Sequence, residues 1–261
     1  MSRRGDRHGL RDLAVDVRFE GEFDSSYTAG DNSDVLPTDT MKNTVYALAA
    51  NEAVRDPESF GLSLGRHFLE RSTRLQCVTV HLTEYSWRHI AIGEREHGTS
   101  FLRRGPDTRT AVVTSRRDGV RVEAGVDDLL IMKTSHSAFA GFPRDEFTTL
   151  AETRDRLLAT SMTAHWRYQD ADVEFEPSWR VVRDTLLETF ALHHSESVQH
   201  TLYAMGQAVI DGVDVVTSIT LTMPNKHHLP IDLGKLGLEN RNEIFVATEE
   251  PFGLIEATIT R

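Results

Sequence analysis

Four segments hold the side chains with chemistry to offer: Tyr27–Ala49 (YTAGDNSDVLPTDTMKNTVYALA), Ser137–Thr160 (SAFAGFPRDEFTTLAETRDRLLAT), Glu196–Met205 (ESVQHTLYAM) and Thr222–Leu233 (TMPNKHHLPIDL). Thr38 and Asp39 stand where the chain enters a helix, so backbone N–H groups and the positive end of the helix dipole would face outward and an anion could dock there. From the residues alone the favoured reading is that Asp39 simply caps that helix, since Asp caps are common. Phe139 and Phe142 read as packed aromatics, Arg156 in ETRDRLL as a solvated helix arginine, and Gln199 in SVQH as a polar residue of a helix start. Asn225 and His227 follow a strand ending at Met223 and are turned out of it by Pro224. The pair His227-His228 invites a metal reading. Strand alternation, however, would send the two rings to opposite faces, and no Cys, Asp or Glu lies at convincing ligand spacing. No segment matches a phosphate loop, a dinucleotide fingerprint or a nucleophile elbow.

The elements that must position these residues are legible as periods. Leu13, Val15, Val17 and Phe19 alternate like a strand with one buried face. Met41, Val45 and Leu48 form the stripe of a helix entered at Asp39. Asp56-Pro57-Glu58 opens a second helix, with cap, first-turn proline and early acid in their preferred order and a stripe of Phe60, Leu64 and Phe68. Val78, Val80 and Leu82 alternate again, and Asp118-Gly119 predicts a hairpin turn between RTAVVTSR and VRVEAG. The second half repeats this order. It shows strands TAHWRY and DVEFE, a helix carrying Trp179, Val182, Leu186 and Phe190, a helix carrying Val198, Leu202, Met205 and Val209, and strands around Ile219–Met223, Glu243–Ala247 and Leu254–Thr260. The expected fold class is α+β, a duplicated unit with helices on one face of an antiparallel sheet and a boundary near Gly125, giving domains 1–125 and 126–261.

With 261 residues, 29 Lys+Arg and 40 Asp+Glu, the net charge is −11, mixed along the chain. That argues against a nucleic-acid or anionic-membrane partner. A small anionic substrate would need a few local donors working against the global field, so its site should hold an arginine. The one cysteine, Cys77, falls in a strand alternation and excludes a disulfide framework or a cysteine-based zinc site within one chain. No apolar run approaches a membrane span, and the start MSRRGDRHGLRD has no signal-peptide apolar stretch.

The four segments, in this order and spacing, resemble the urate oxidase family over about Arg7 to Arg261. That resemblance implies the tunnelling fold (T-fold) in tandem, assembled as a homotetramer with active sites between subunits, and oxidation of urate by dioxygen to 5-hydroxyisourate and hydrogen peroxide with neither metal nor organic cofactor. It implies that Arg156 grips urate with its bidentate fork, Phe139 stacks on the ring, and Gln199 and the Val198 N–H pair with the purine edge. Thr38 and Asp39 would reach the ligand from the neighbouring subunit, Thr38 and His227 would relay protons, and Asn225 would hold the site of dioxygen or water. The family begins with a strand bearing a Tyr-Gly-Lys motif whose lysine activates the threonine. That strand does not precede the strand at Leu13–Phe19 here, and Lys42, one turn beyond Thr38, is read as solvent-facing or packed on the helix. The chain as written is therefore expected to be a poor catalyst, and a catalytically inactive purine- or pterin-binding protein of the same fold is the alternative. A zinc-dependent hydrolase is a third reading. The C-terminus at Arg261 carries no Ser-Lys-Leu peroxisomal address, which points to a bacterial-type cytoplasmic protein.

Overall fold

A computed structural model describes residues 1–3 and 5–261 and resolves them into two compact units. Unit 1 comprises Met1–Val126 and Trp166–Arg180, and unit 2 comprises Asp127–His165 and Val181–Arg261. The first stretch of unit 1 ends at Val126, and Trp166–Arg180 groups with it across the chain.

Unit 1 begins with β1 (Asp12–Gly21), a short helix α1 (Asp24–Thr28) that sequence periodicity did not signal, α2 (Thr38–Asn51) and α3 (Pro57–Arg71). It continues with β2 (Leu75–Ile92), β3 (Arg95–Arg116) and β4 (Gly119–Lys133), whose last residues pass into unit 2. The strands lie in the order β1-β2-β3-β4. Antiparallel pairing sets Val15 against Leu82, Val17 against Val80, and Val80 against Val113, so the alternating apolar residues share one face. On that face Phe60, Leu64 and Phe68 of α3 pack with Leu75, Val78, Val80, Leu82 and Ala111, and Met41, Val45 and Leu48 of α2 cover the margin. β3 and β4 form the expected hairpin, but its turn residues are Arg117 and Asp118, one position before the Asp118-Gly119 expected, and Gly119 opens β4.

Two local expectations are corrected here. Asp39 is not the cap of α2: Pro37 holds that place, no side chain caps the helix, and Asp39 sits inside the first turn. Its carboxylate instead accepts from Asn43 (2.8 Å) and pairs with Lys42 (2.9 Å), one turn on. The stretch DVEFE is not a strand either. The chain enters α4 (Phe175–Leu192) within it, because Pro177 cannot supply a ladder N–H yet fits the first turn of a helix.

Unit 2 takes the end of β4, then most of β5 (Leu158–Tyr168), most of α4, α5 (Val198–Gly212), β6 (Val216–Asn225), β7 (His228–Pro230), β8 (Phe245–Ala247) and β9 (Gly253–Thr260). The main strands run β4-β5-β6-β9. The expected strand near Glu243–Ala247 pairs only with β7, in a separate two-stranded sheet. Leu202, Met205 and Val209 of α5 are buried, as the periodicity requires. Gly206 lets this helix lie close to the sheet, since a Cβ there would stand 2.5 Å from Ile259 of β9. Among the described residues no helix is long and apolar enough to cross a membrane.

Candidate active site

In unit 2 the expected residues are drawn together by backbone bridges rather than by one continuous element. The loop between β4 and β5 folds back so that Phe139 N–H donates to Thr153 O (2.8 Å) and Thr153 N–H to Phe139 O (3.0 Å). Arg156 N–H donates to Ser137 O at 2.9 Å. Gly141, with φ +74, supplies the reversal that this doubling back needs. The loop is in turn latched to the start of α5: Ala138 N–H donates to Ser195 O (2.7 Å) and Ser195 N–H to His136 O (2.9 Å). Lys226 N–H, between Asn225 and His227, donates to Ala159 O at 2.9 Å, three residues past Arg156. His227 O accepts from Thr248 N–H at 3.0 Å. Phe139, Arg156, Val198, Gln199, Asn225 and His227 therefore share one cross-braced region.

Within it Arg156 supplies a cation beside an aromatic pair. The Arg156 guanidinium lies 5.3 Å from the centroid of the Phe139 ring, and Phe139 stacks on Phe142 at 4.9 Å and 15°. Arg156 Nε and Nη2 are buried and have no hydrogen-bond partner among the described residues. Burial lowers this guanidinium below its usual pKa. A half-buried cation with two buried, unpaired donors side by side gains most from a planar anion that accepts both.

The N-terminus of α5 adds neutral donors. Ser197 caps it, accepting from His200 N–H at 3.1 Å, and Ser195 Oγ donates to Ser197 O at 3.0 Å. Val198 is the first helical residue, so its N–H has no intrahelical acceptor. Gln199 follows with its side chain exposed, while Asn225 and His227 are half-buried. Thr38 and Asp39 belong to the other unit. They open α2 in unit 1, both exposed, and Lys42 is tied to Asp39.

Sequence reasoning missed the latches, Ser137, Ser195 and Ala159, which act through backbone atoms and so leave no side-chain signature. Ser137 and Ser195 are fully buried small polar residues. It also missed a buried charge cluster in unit 1 around Arg109, although Arg109, Ala111, Val113 and Ser115 alternate inward in plain view. Among the described residues no group of three His, Cys, Asp or Glu side chains is placed to hold a metal ion, and His228 Nδ1 lies 3.1 Å from Lys226 O.

Comparison with known proteins gives a consistent picture. A profile of the uricase family matches residues 2–114 and 122–256. The uricase of Arthrobacter globiformis is 41% identical over 261 residues, covering 100% of this chain and 85% of that one. The uricase of Dictyostelium discoideum is 40% identical over 256 residues, covering 97% of this chain and 89% of its own length. A crystal structure of the Arthrobacter globiformis uricase superposes with a TM-score of 0.95 at 41% identity, over 100% of this chain and 89% of that one.

Proposed function

We propose that this chain, which belongs to the uricase family, oxidises urate with dioxygen to 5-hydroxyisourate and hydrogen peroxide. The observation that carries the reading is Arg156: a half-buried guanidinium over an aromatic face, with its buried Nε and Nη2 left unmatched among the described residues. Urate is a flat anion with adjacent acceptors, and it can satisfy that fork while stacking on Phe139. Gln199, both donor and acceptor, and the Val198 N–H read the purine edge, so an analogue lacking one edge group would leave them unpaired.

Urate deprotonated further in the site is electron-rich enough to reduce dioxygen itself. Two electrons pass to oxygen, which leaves as hydrogen peroxide, and a water oxygen adds to the ring. No metal or organic cofactor is required of the protein, whose share is positioning, proton transfer and control of water. Asn225 holds the oxygen or water site, and His227 relays a proton with Thr38. On the resemblance to the family, we assign Thr38 and Asp39, which open α2, to the site of a neighbouring chain in a homotetramer of tandem domains 1–125 and 126–261. The buried free thiol of Cys77 fits the reducing interior of a bacterial-type cytoplasm.

Following the near-ultraviolet absorbance of urate, with and without a chelator, tests the reading. Loss of absorbance that is unchanged by chelator, with peroxide formed, is the expected result. Loss abolished by chelator would assign the site to a metal enzyme, and binding without loss to a purine binder.

A further inference from the structure

The two units can be compared position by position. The spacing that carries Gly65 of α3 onto Gly206 of α5 also carries Val78 onto Ile219, Val80 onto Leu221 and Leu82 onto Met223, each apolar pair buried. Both glycines face the second strand of the hairpin, Gly65 at Ser115 and Gly206 at Ile259. The strand registers agree, because Val78 pairs with Ser115 and Ile219 with Ile259. Both helices are capped alike, by Asp56 accepting from Ser59 N–H (2.7 Å) and by Ser197 accepting from His200 N–H (3.1 Å).

The same spacing places Glu58 where unit 2 has Gln199, and Glu84 where it has Asn225. Two neutral amides of the candidate site are thus matched by two carboxylates. Glu84 pairs across the sheet with Arg109, and Asn225 with Gly253. Unit 2 therefore has a glycine, with open space beyond its Cα, where unit 1 has an arginine.

That arginine is held as a small ligand would be. Its Nη2 donates to Glu58 Oε2 at 2.8 Å, its Nη1 donates to Glu176 Oε2 at 2.5 Å, and Glu84 Oε2 lies 4.0 Å from Nη1. The face of the guanidinium stands 4.9 Å from the Trp179 ring centroid. Glu58 is 0% and Arg109 4% exposed, and Glu58 Oε1 has no hydrogen-bond partner among the described residues. Burial pushes the Glu58 carboxyl up to about 7 against the pull of Arg109. Burial opposes the charge on Arg109, but Glu58, Glu176 and Glu84 together raise its pKa above the usual value.

We infer that unit 1 contains the counterpart of the candidate active site converted into a closed cation site, with the Arg109 guanidinium as its tethered occupant. The site is selective for a planar guanidinium-type cation: carboxylates meet its edge and Trp179 its face, where unit 2 offers amides and a phenylalanine to a planar anion. The inference rests on the correspondence of the two units and not on which ligand unit 2 takes.

The test uses the full chain with Arg109→Gly, which restores the residue unit 2 has at this position. Removing one partner of a buried charge cluster should lower Tm on the order of 10 °C. Methylguanidinium at low millimolar concentration should then raise the variant's Tm, by roughly 3 to 5 °C at ten times its Kd. Methylammonium at equal ionic strength should do less, the parent should not distinguish the two salts, and adding Glu58→Gln should abolish the difference. Equal responses of the Arg109→Gly variant to both cations would overturn the proposal. Should that variant not fold on expression, the same comparison is read as the yield of folded protein on refolding, where equal yields would again overturn it.

Discussion

Arg156 keeps its charge in a half-buried position with Nε and Nη2 unmatched among the described residues, so it stands ready for a ligand with two acceptors side by side. Lysine in its place would retain the charge and lose the geometry, because one ammonium cannot form two parallel bonds in a fixed plane. Arg156→Lys should weaken urate binding by about 2 to 5 kcal/mol, the range for losing one partner of a buried charge pair. Equilibrium binding under anaerobic conditions measures this, and parental affinity in the variant would remove Arg156 from the site. The identity of Arg156 was legible in ETRDRLL, but by itself the segment reads as a solvated helix. Its real setting comes from the Arg156 N–H to Ser137 O bond, a long-range backbone contact that no local period encodes. The same holds for Asp39. Asp caps are common at helix starts, but here Pro37 takes the cap position and the carboxylate turns along the helix to Lys42 and Asn43.

At the scale of elements, α5 matters because its first turn presents Val198 and Gln199 with the cap Ser197 beneath them. Ser197→Ala should cost about 1 kcal/mol, read from denaturant unfolding. Ser197→Asp should keep the stability, as Asp56 caps α3 by the same bond, yet raise KM for urate, since a carboxylate would then stand beside the proposed anion site. Unchanged KM in the Asp variant would place the substrate away from this helix start. The helices were legible because their stripes are long: Phe60, Leu64 and Phe68, and Leu202, Met205 and Val209, all prove buried. DVEFE was misread because five residues of alternation cannot be told from a helix start, and Pro177 decides between them. The pairing of β8 with β7 alone was likewise out of reach, since a three-residue strand carries no period.

Among the described residues the main strands end at β1, beside β2 in unit 1, and at β9, beside β6 in unit 2. Such edges carry unpaired N–H and C=O groups that recruit other strands. Unit 2 also exposes Leu229, Ile231, Ile244 and Val246, apolar side chains on and beside its small sheet, and clustered apolar surface of this kind marks contact with other chains. The duplicated order of elements was readable from the sequence, whereas the edges were not, because which strand ends a sheet depends on pairing between distant segments. The proposed chemistry calls for the same assembly, since the proposed site takes Thr38 from a neighbouring chain. A closed symmetric oligomer covers edges and apolar surface in one step. Sedimentation at working concentration should therefore show a single species of about four chains, and dilution to monomers should abolish urate turnover together with the assembly. Because Thr38 would then act on the ligand of a different chain, an inactive Thr38→Ala protein mixed with an inactive Arg156→Ala protein should recover part of the activity by forming hybrid sites. A monomer that turned over urate at the full rate, or co-assembled variants with no recovery, would remove the shared site from the mechanism.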